Sequence, residues 1–364
     1  MRARSDLSDL SHWGWDEHFE LAFAPHRDAG LVPARVSSEH QHIYRVLTGA
    51  DDLLASVTGR FRHRTERRTD YPAVGDWVAV RPPDRSKGDE RALVYAVLPR
   101  KSAFVRKAAG ASASGQVVAA NIDTVFLVSG LDSDFNVRRI ERYLALAWES
   151  GARPVIVLNK ADVCDDVPSR VREVEAVAKA APIHVLSCKK DEGLDGLTPY
   201  LVPGETGALL GSSGVGKSTL INRLLGEELQ RTREVREADD RGRHTTSHRQ
   251  LVRLPAGALL VDTPGMREIQ LWDADEGLNE TFDDIETLAE SCRFRDCRHV
   301  DEPGCGVKAA LERGDLKADR YDSFQKLGRE LSHVERRRDR QAELEQKKKS
   351  RAIHKLERNT KPRE

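Results

Sequence analysis

Gly211-Ser212-Ser213-Gly214-Val215-Gly216-Lys217-Ser218 matches the phosphate-loop pattern G-x-x-x-x-G-K-S/T. That pattern works only where an apolar strand delivers it and a helix carries the chain away. Ala208-Leu209-Leu210 supplies the strand, and the run from Thr219 to Leu225 supplies the helix. In this setting the loop's backbone N–H groups cradle phosphates at the positive end of the helix. Lys217 reaches the β and γ phosphates, the Ser218 hydroxyl holds Mg²⁺, and Thr219 opens the helix beside them. A chance glycine-rich turn would lack both flanks.

A base-reading signal lies upstream. Asn159-Lys160-Ala161-Asp162 follows the apolar run Val155 to Leu158. A carboxylate at Asp162 can accept from both the N1 and N2 donors of guanine, a pair that adenine does not offer. Asn159 would brace the loop and Lys160 would lie along the base plane. Ser187-Cys188-Lys189, after the apolar run Ile183 to Leu186, fits a second guanine loop whose backbone N–H meets the base oxygen. Asp262-Thr263-Pro264-Gly265 ends a further apolar run, and Asp262 there suits a water-mediated Mg²⁺ contact. Each of these is weak alone. Together they put four motifs at the carboxyl ends of strands, where open α/β sheets bind ligands.

Their order is unusual. Ordinary small GTPases place the phosphate loop first and N-K-x-D late. Here N-K-x-D and Ser187-Cys188-Lys189 come first, and Asp262 to Gly265 comes last. A site depends on where strands lie and not on chain order, so the pattern predicts a circularly permuted α/β P-loop GTPase domain over 108–280.

Past that domain, Cys292, Cys297, His299 and Cys305 form a C-x4-C-x-H-x5-C set. Three thiolates and an imidazole make a closed tetrahedral set of the structural zinc type, so one structural Zn²⁺ is expected in a small α-rich domain over 281–330. The chain has five cysteines and no signal peptide, which argues against disulfides. Cys164 and Cys188 are expected to be small packing residues.

Residues 31–107 alternate short apolar stretches with turns, as at Gln41 to Leu47, Leu53 to Thr58, Asp76 to Val80 and Ala92 to Leu98. Short strands at regular spacing predict an OB-type β barrel. A basic loop from Arg60 to Arg68 carries Phe61, and a second basic stretch holds Arg100, Lys101, Arg106 and Lys107 around Phe104. Both are candidate RNA surfaces, with a solvated charged face as the plain alternative. The first 30 residues hold Trp13, Trp15, Phe19 and Phe23, an extension expected to strap onto the barrel. Residues 331–364 form a helical or disordered tail with 12 Lys and Arg against 6 Asp and Glu. Over the whole chain 59 basic residues balance 59 acidic ones, so the tail's excess points to an anionic partner such as RNA. Composition indicates a cytoplasmic protein with no membrane association, expected to be a monomer.

The succession of OB-type barrel, permuted GTPase domain and C-x4-C-x-H-x5-C knuckle resembles the bacterial small-subunit-dependent ribosomal GTPases, the RsgA/YjeQ family. Gln116-Val117-Val118-Ala119-Ala120-Asn121-Ile122-Asp123 and Gly242-Arg243-His244-Thr245-Thr246 add to the likeness, which runs from about Leu31 to about Gly328. The resemblance implies GTP and GDP as ligands, the 30S ribosomal subunit and its 16S rRNA as partners, a role in late 30S maturation, and GTP hydrolysis stimulated by that subunit. Cys188 stands where the family commonly has alanine. Ras-like proteins orient the attacking water with a glutamine after D-x-x-G; Met266 occupies that position here, a hydrophobic substitution the family shares. The water-orienting group is then His244 or an element of the ribosome, and Thr245 or Thr246 completes the Mg²⁺ shell. Two other classes compete: a P-loop kinase or ATPase, and an RNA-binding nucleotide sensor. Neither an adenine site nor a phosphate-acceptor pocket is visible in the sequence.

Overall fold

The structure is a computed structural model, and it describes residues 7–84, 86, 88–107, 115–226, 250–262, 281–300, 302–329 and 332. Strands β1 (Val32–His40), β2 (Ile43–Leu47), β3 (Asp52–Val57), β4 (Trp77–Arg81) and β5 (Ala92–Val97) close on themselves in the order β1-β2-β3-β5-β4-β1. β3 and β5 pair in parallel and the other neighbours antiparallel, which is the five-stranded OB barrel. Alternate residues point inward, so Val36, Tyr44, Val46, Ala55, Val78, Val80 and Val94 fill the barrel. Asp16 caps α1 (Glu17–Arg27) by accepting from Phe19 N. Trp15, Phe19 and Phe23 then pack on the outside of β4, with the Trp15 and Trp77 rings edge to face at 4.7 Å. The aromatic extension is thus the strap that closes one wall of the barrel.

Both expected basic surfaces change in the structure. The run from Arg60 is not a loop but α2 (Gly59–Arg64), capped by the Thr58 hydroxyl and followed by a 3-10 turn at Arg68–Asp70. Phe61 packs on the barrel core and meets Tyr71 edge to face at 5.7 Å, while Arg60, Arg62, Arg64, Arg67 and Arg68 stay exposed. The second stretch is mostly structural. Arg100 grips the buried Asp76 carboxylate with two bonds of 2.7 Å and donates to Thr69 O and Tyr71 O. Lys101 pairs with Asp16, and Phe104 is 1% exposed, so it has no face to offer a base. Phe104 lies on β6 (Ala103–Lys107), which pairs with β7 (Gly115–Ala120) as a separate two-stranded sheet.

Six further strands continue the barrel's sheet: β8 (Thr124–Gly130), β9 (Arg153–Asn159), β10 (Ile183–Val185), β11 (Thr206–Leu210), β12 (Gln250–Arg253) and β13 (Leu259–Asp262), in the order β10-β9-β8-β11-β13-β12, joined to the barrel where β12 pairs with β1 at Gln250 and Ser38. Only β12 runs antiparallel to its neighbour. Both faces are covered, as the near-continuous apolar strands require. Val125, Leu127, Ile156 and Leu158 face α3 (Val137–Ser150) and α4 (Val167–Ala178). Phe126, Val128, Val155 and Val157 face α5, the helix over 217–226. The last helices, α6 (Asp283–Ala289), α7 (Gly306–Arg313) and α8 over 318–329, join the α3 side: Phe282, Ile285, Val307, Ala310 and Leu327 share one apolar cluster with Ile140 and Val174.

Buried charge sets both seams. Arg35 of β1, 2% exposed, donates to Gly75 O, Trp13 O, Asn121 O and Thr206 Oγ1. Burial lowers its pKa to about 10, so the guanidinium remains charged at neutral pH. On the opposite seam, Arg320 of α8 binds Asp284 with two 2.6 Å bonds and Glu141 of α3 with one of 2.7 Å. Arg35→Leu leaves four acceptors without their donor in the barrel seam. It should lower unfolding free energy by about 3 kcal/mol, read as a drop in the urea midpoint; an unchanged midpoint would show that the seam does not depend on the cation.

Candidate functional site

The sheet's carboxyl edge collects the motifs. β11 ends at the phosphate loop, flanked by β8 and β13, with N-K-x-D at the end of β9 and Ser187-Cys188-Lys189 just past β10. Asn159 is the centre of this arrangement. Its Nδ2 donates to Val215 O of the phosphate loop at 2.8 Å, and its Oδ1 accepts from Cys188 N at 3.0 Å. One side-chain amide therefore holds the Gly211 to Ser218 loop, the N-K-x-D turn and the Ser187-Cys188-Lys189 loop in register. The contact needs Gly216, whose φ is +100°, because a Cβ there would strike Asn159 Nδ2. Gly211 is likewise constrained, since a Cβ would strike Val128 O.

The structure describes several of the other predicted residues and their contacts. Asp162 Oδ1 accepts from Ser187 Oγ at 2.6 Å. That hydroxyl, with Lys189 and Lys190 nearby, holds the carboxyl below the ordinary aspartate range. Asp162 is thus an ionised acceptor throughout the physiological range. Lys217 Nζ folds back onto Gly211 O and Ser212 O, the carbonyls that line the phosphate cradle. Ser213, Gly214, Ser218 and Thr219 are exposed at its mouth. Cys188 is buried, and burial pushes its thiol up to about 11, which suits a packing residue. Arg223 of α5 donates to Cys188 O and faces Asp191, holding the Ser187-Cys188-Lys189 loop. Asp262 closes β13, pairing with Gln250, but its side chain lies outside the described residues. His244, Thr245, Thr246, Gly265, Met266 and the tail over 333–364 also lie outside them.

Two site residues carry no motif. Asp132 and Asp134, in the loop between β8 and α3, each hold one predicted element. Asp132 accepts from Lys160 Nζ at 2.5 Å, and Asp134 accepts from Ser212 Oγ at 2.6 Å and Arg139 Nη1 at 2.7 Å. Lys160 first, then backbone bonding, keeps Asp132 below the usual carboxylate range. Ser212 and then Arg139 do the same for Asp134. The only available signal was the acidic Asp132-Ser133-Asp134 step after an apolar strand, too common to single out.

Cys292, Cys297, His299 and Cys305 converge, with all four donor atoms within 4.8 Å of one another. Metal–sulfur bonds of about 2.3 Å in a tetrahedron put sulfurs roughly 3.8 Å apart. Cys292 and Cys305 sulfurs stand 3.9 Å apart, and His299 Nδ1 is 3.5 and 3.4 Å from them. Gly306 N and Lys308 N donate to the Cys292 and Cys305 sulfurs, bonds that favour the thiolate form. The set fits a four-coordinate metal ion. With Asp162 as the guanine acceptor, Asp162→Asn should weaken GDP binding at least tenfold, about 1.4 kcal/mol, and transfer preference toward xanthine nucleotides. Retained GDP selectivity in a nucleotide competition assay would reject Asp162 as the base reader.

A family model described as RsgA GTPase matches residues 97–272. The small ribosomal subunit biogenesis GTPase RsgA of Opitutus terrae is 52% identical over 336 residues, spanning 91% of this chain and 92% of that protein. Small ribosomal subunit biogenesis GTPase RsgA 2 of Lactiplantibacillus plantarum is 47% identical over 84% of this chain and 85% of its own. Among solved structures, YjeQ from Thermotoga maritima superposes with a TM-score of 0.60 at 30% identity, covering 83% of this chain and 98% of that one. YloQ, described as a circularly permuted GTPase, gives a TM-score of 0.58 at 25% identity, over 84% of this chain and 96% of that one. With half its residues shared along nearly the full length of such a relative, this chain belongs to the RsgA GTPase family.

Proposed function

We propose that this chain hydrolyses GTP to GDP and phosphate while bound to the 30S ribosomal subunit, in the late maturation of that subunit. The observation that carries the nucleotide half is the Asn159 amide, which locks Val215 and Cys188 into one guanine-and-phosphate site. The names of the relatives supply the ribosomal half. Asp162, Asn159, Lys160 and the Ser187-Cys188-Lys189 loop hold guanine. Gly211 to Thr219 wraps the phosphates, and Lys217 neutralises charge that builds on the β and γ oxygens as the bond to the γ phosphorus breaks. Ser218 would ligate Mg²⁺, which offsets the same charge, with Asp262 and one of Thr245 and Thr246 completing its shell. Gly265 would sense the γ phosphate. Met266 has no polar atom for orienting water, so His244 or a ribosomal group takes that task and turnover is slow without the subunit.

Cys292, Cys297, His299 and Cys305 would bind one Zn²⁺, whose four protein ligands leave no open position for chemistry. Its role is to fold the knuckle. The RNA surface of the barrel is the exposed arginine set of Arg60 to Arg68, reduced from the wider surface expected of the sequence. The segments 1–30, 31–107, 108–280, 281–330 and 331–364 are proposed as extension, barrel, GTPase domain, zinc domain and tail. No helix among the described residues is long and apolar enough to cross a membrane. A monomer in the cytoplasm is the proposed working form.

The deciding experiment is GTP against ATP hydrolysis, with and without purified 30S subunits. Stimulated turnover of GTP alone is expected, and Lys217→Ala should reduce it by about a hundredfold or more. Equal turnover of ATP, or indifference to the subunit, would overturn the proposal. For the metal, one zinc per chain is expected by elemental analysis. Cys297→Ser should lose it and lower the melting temperature while GDP affinity holds. Protein that melts identically with and without zinc refutes a structural metal.

A further inference from the structure

The knuckle presents an aromatic ring to solvent. Phe294 is 42% exposed, and Val300, also on the knuckle, is 54% exposed. The ring sits on a four-residue loop between two metal-fitting cysteines, Cys292 and Cys297, so its backbone is tied at both ends. Cys297 N donates to Phe294 O, and Arg293 N donates to Gly304 O. Further along, Glu302 accepts from Arg298 N and Val300 N, Lys308 Nζ donates to Val300 O, and Tyr321 donates to His299 O. A phenylalanine held this rigidly in water does nothing for the fold's own core. It lies among exposed Arg293, Arg295 and Arg298, with the Arg293 guanidinium 5.5 Å from the ring centre. Asp296 is the one exposed acid within the loop, and Glu302 is engaged with backbone donors, so the local balance is positive.

A rigid aromatic ringed by guanidinium groups matches the chemistry of single-stranded nucleic acid. The π face takes a base of any identity, and the arginines take the phosphates on either side. We propose that Phe294 is a stacking platform for an unpaired RNA base, with Arg293, Arg295 and Arg298 on the flanking phosphates. The proposal rests on the reading of a ribosomal RNA partner and adds the chemical form of that RNA at this surface: unpaired, not helical. An A-form duplex keeps its bases stacked on one another and would not use the ring.

The test uses the full zinc-loaded chain and a fluorescein-labelled oligoadenylate of roughly ten nucleotides, beside a duplex of equal length. Phe294→Ala and Phe294→Leu should each weaken oligoadenylate binding about tenfold, because leucine keeps the bulk but has no π face. Phe294→Tyr should bind like the unaltered protein, and duplex affinity should not change in any of the three. Arg295→Ala should lower the salt slope for the oligonucleotide by about one unit. In Phe294→Trp, oligoadenylate should quench more indole emission than it does in the unaltered protein. Zinc content measured on each variant separates loss of the knuckle from loss of the ring. Wild-type affinity in Phe294→Leu, or no added quenching in Phe294→Trp, overturns the platform. Sedimentation with 30S subunits runs in parallel. Failure of the unaltered chain to bind 30S subunits would refute the ribosomal reading, whereas intact 30S binding with an indifferent Phe294→Leu refutes the platform alone.

Discussion

The Arg35 guanidinium is the contact on which the arrangement of this protein turns. A buried cation is costly unless every donor is met. Here the four hydrogen bonds go to neutral acceptors from four separate parts of the chain: the N-terminal extension, the turn before β4, the link after β7, and the first residue of β11. Asp123, Asp76 and Asp16 offset the charge from a distance, and Trp77 packs its ring 5.6 Å away. Thr206 is thereby fixed twice, since its N–H also donates to Asp123. β11 begins at that residue and ends at the phosphate loop. The barrel is thus keyed to the strand that ends at the G-x-x-x-x-G-K-S loop.

The far side of the sheet is tied by a second buried set. Glu141 accepts from Arg138 with both oxygens, from Arg320 and from Ser323, and is fully buried. Arg320 also closes on Asp284, so α3, α6 and α8 meet through one charge network. The loop that opens α3 holds Lys160 and Ser212 through Asp132 and Asp134. The nucleotide site therefore sits between two charge-bonded seams, one to the barrel and one to the knuckle. In chain order the knuckle comes after the Asp262 strand, and N-K-x-D comes between the barrel and the Gly211 to Ser218 loop.

Local chemistry was legible and long-range pairing was not. The phosphate loop, N-K-x-D and the Cys/His spacing each encode function within a few residues, so their convergence could be anticipated from strand-end placement. The barrel was readable from alternation, with β2 to β5 within a residue or two of the apolar stretches. Arg100 and Phe104 were misread because an arginine beside an aromatic looks the same whether it faces RNA or a buried carboxylate. Only the fold brings Asp76, 24 residues earlier, under Arg100. Arg35 was invisible for the same reason, its Thr206 partner lying 171 residues away. Asp132 and Asp134 gave no periodic or spacing signal at all.

The metal ligands add a constraint that spacing alone does not convey. Cys305 is both a member of the Cys/His set and the cap of α7, accepting from Lys308 N, and its side chain lies in the same apolar cluster as Ile140, Leu144 and Val174. The position of Cys305 thus fixes the start of α7, whose Val307 and Ala310 lie in that cluster. The knuckle is consequently not a pendant module whose folding is private to itself. A metal held there would act on the packing against α3, whose first turn meets the loop that holds Ser212 and Lys160. A single apolar cluster thus runs from Cys305 through α7 to Ile140 and Leu144 of α3, and the loop that opens α3 holds Ser212 and Lys160 through Asp134 and Asp132.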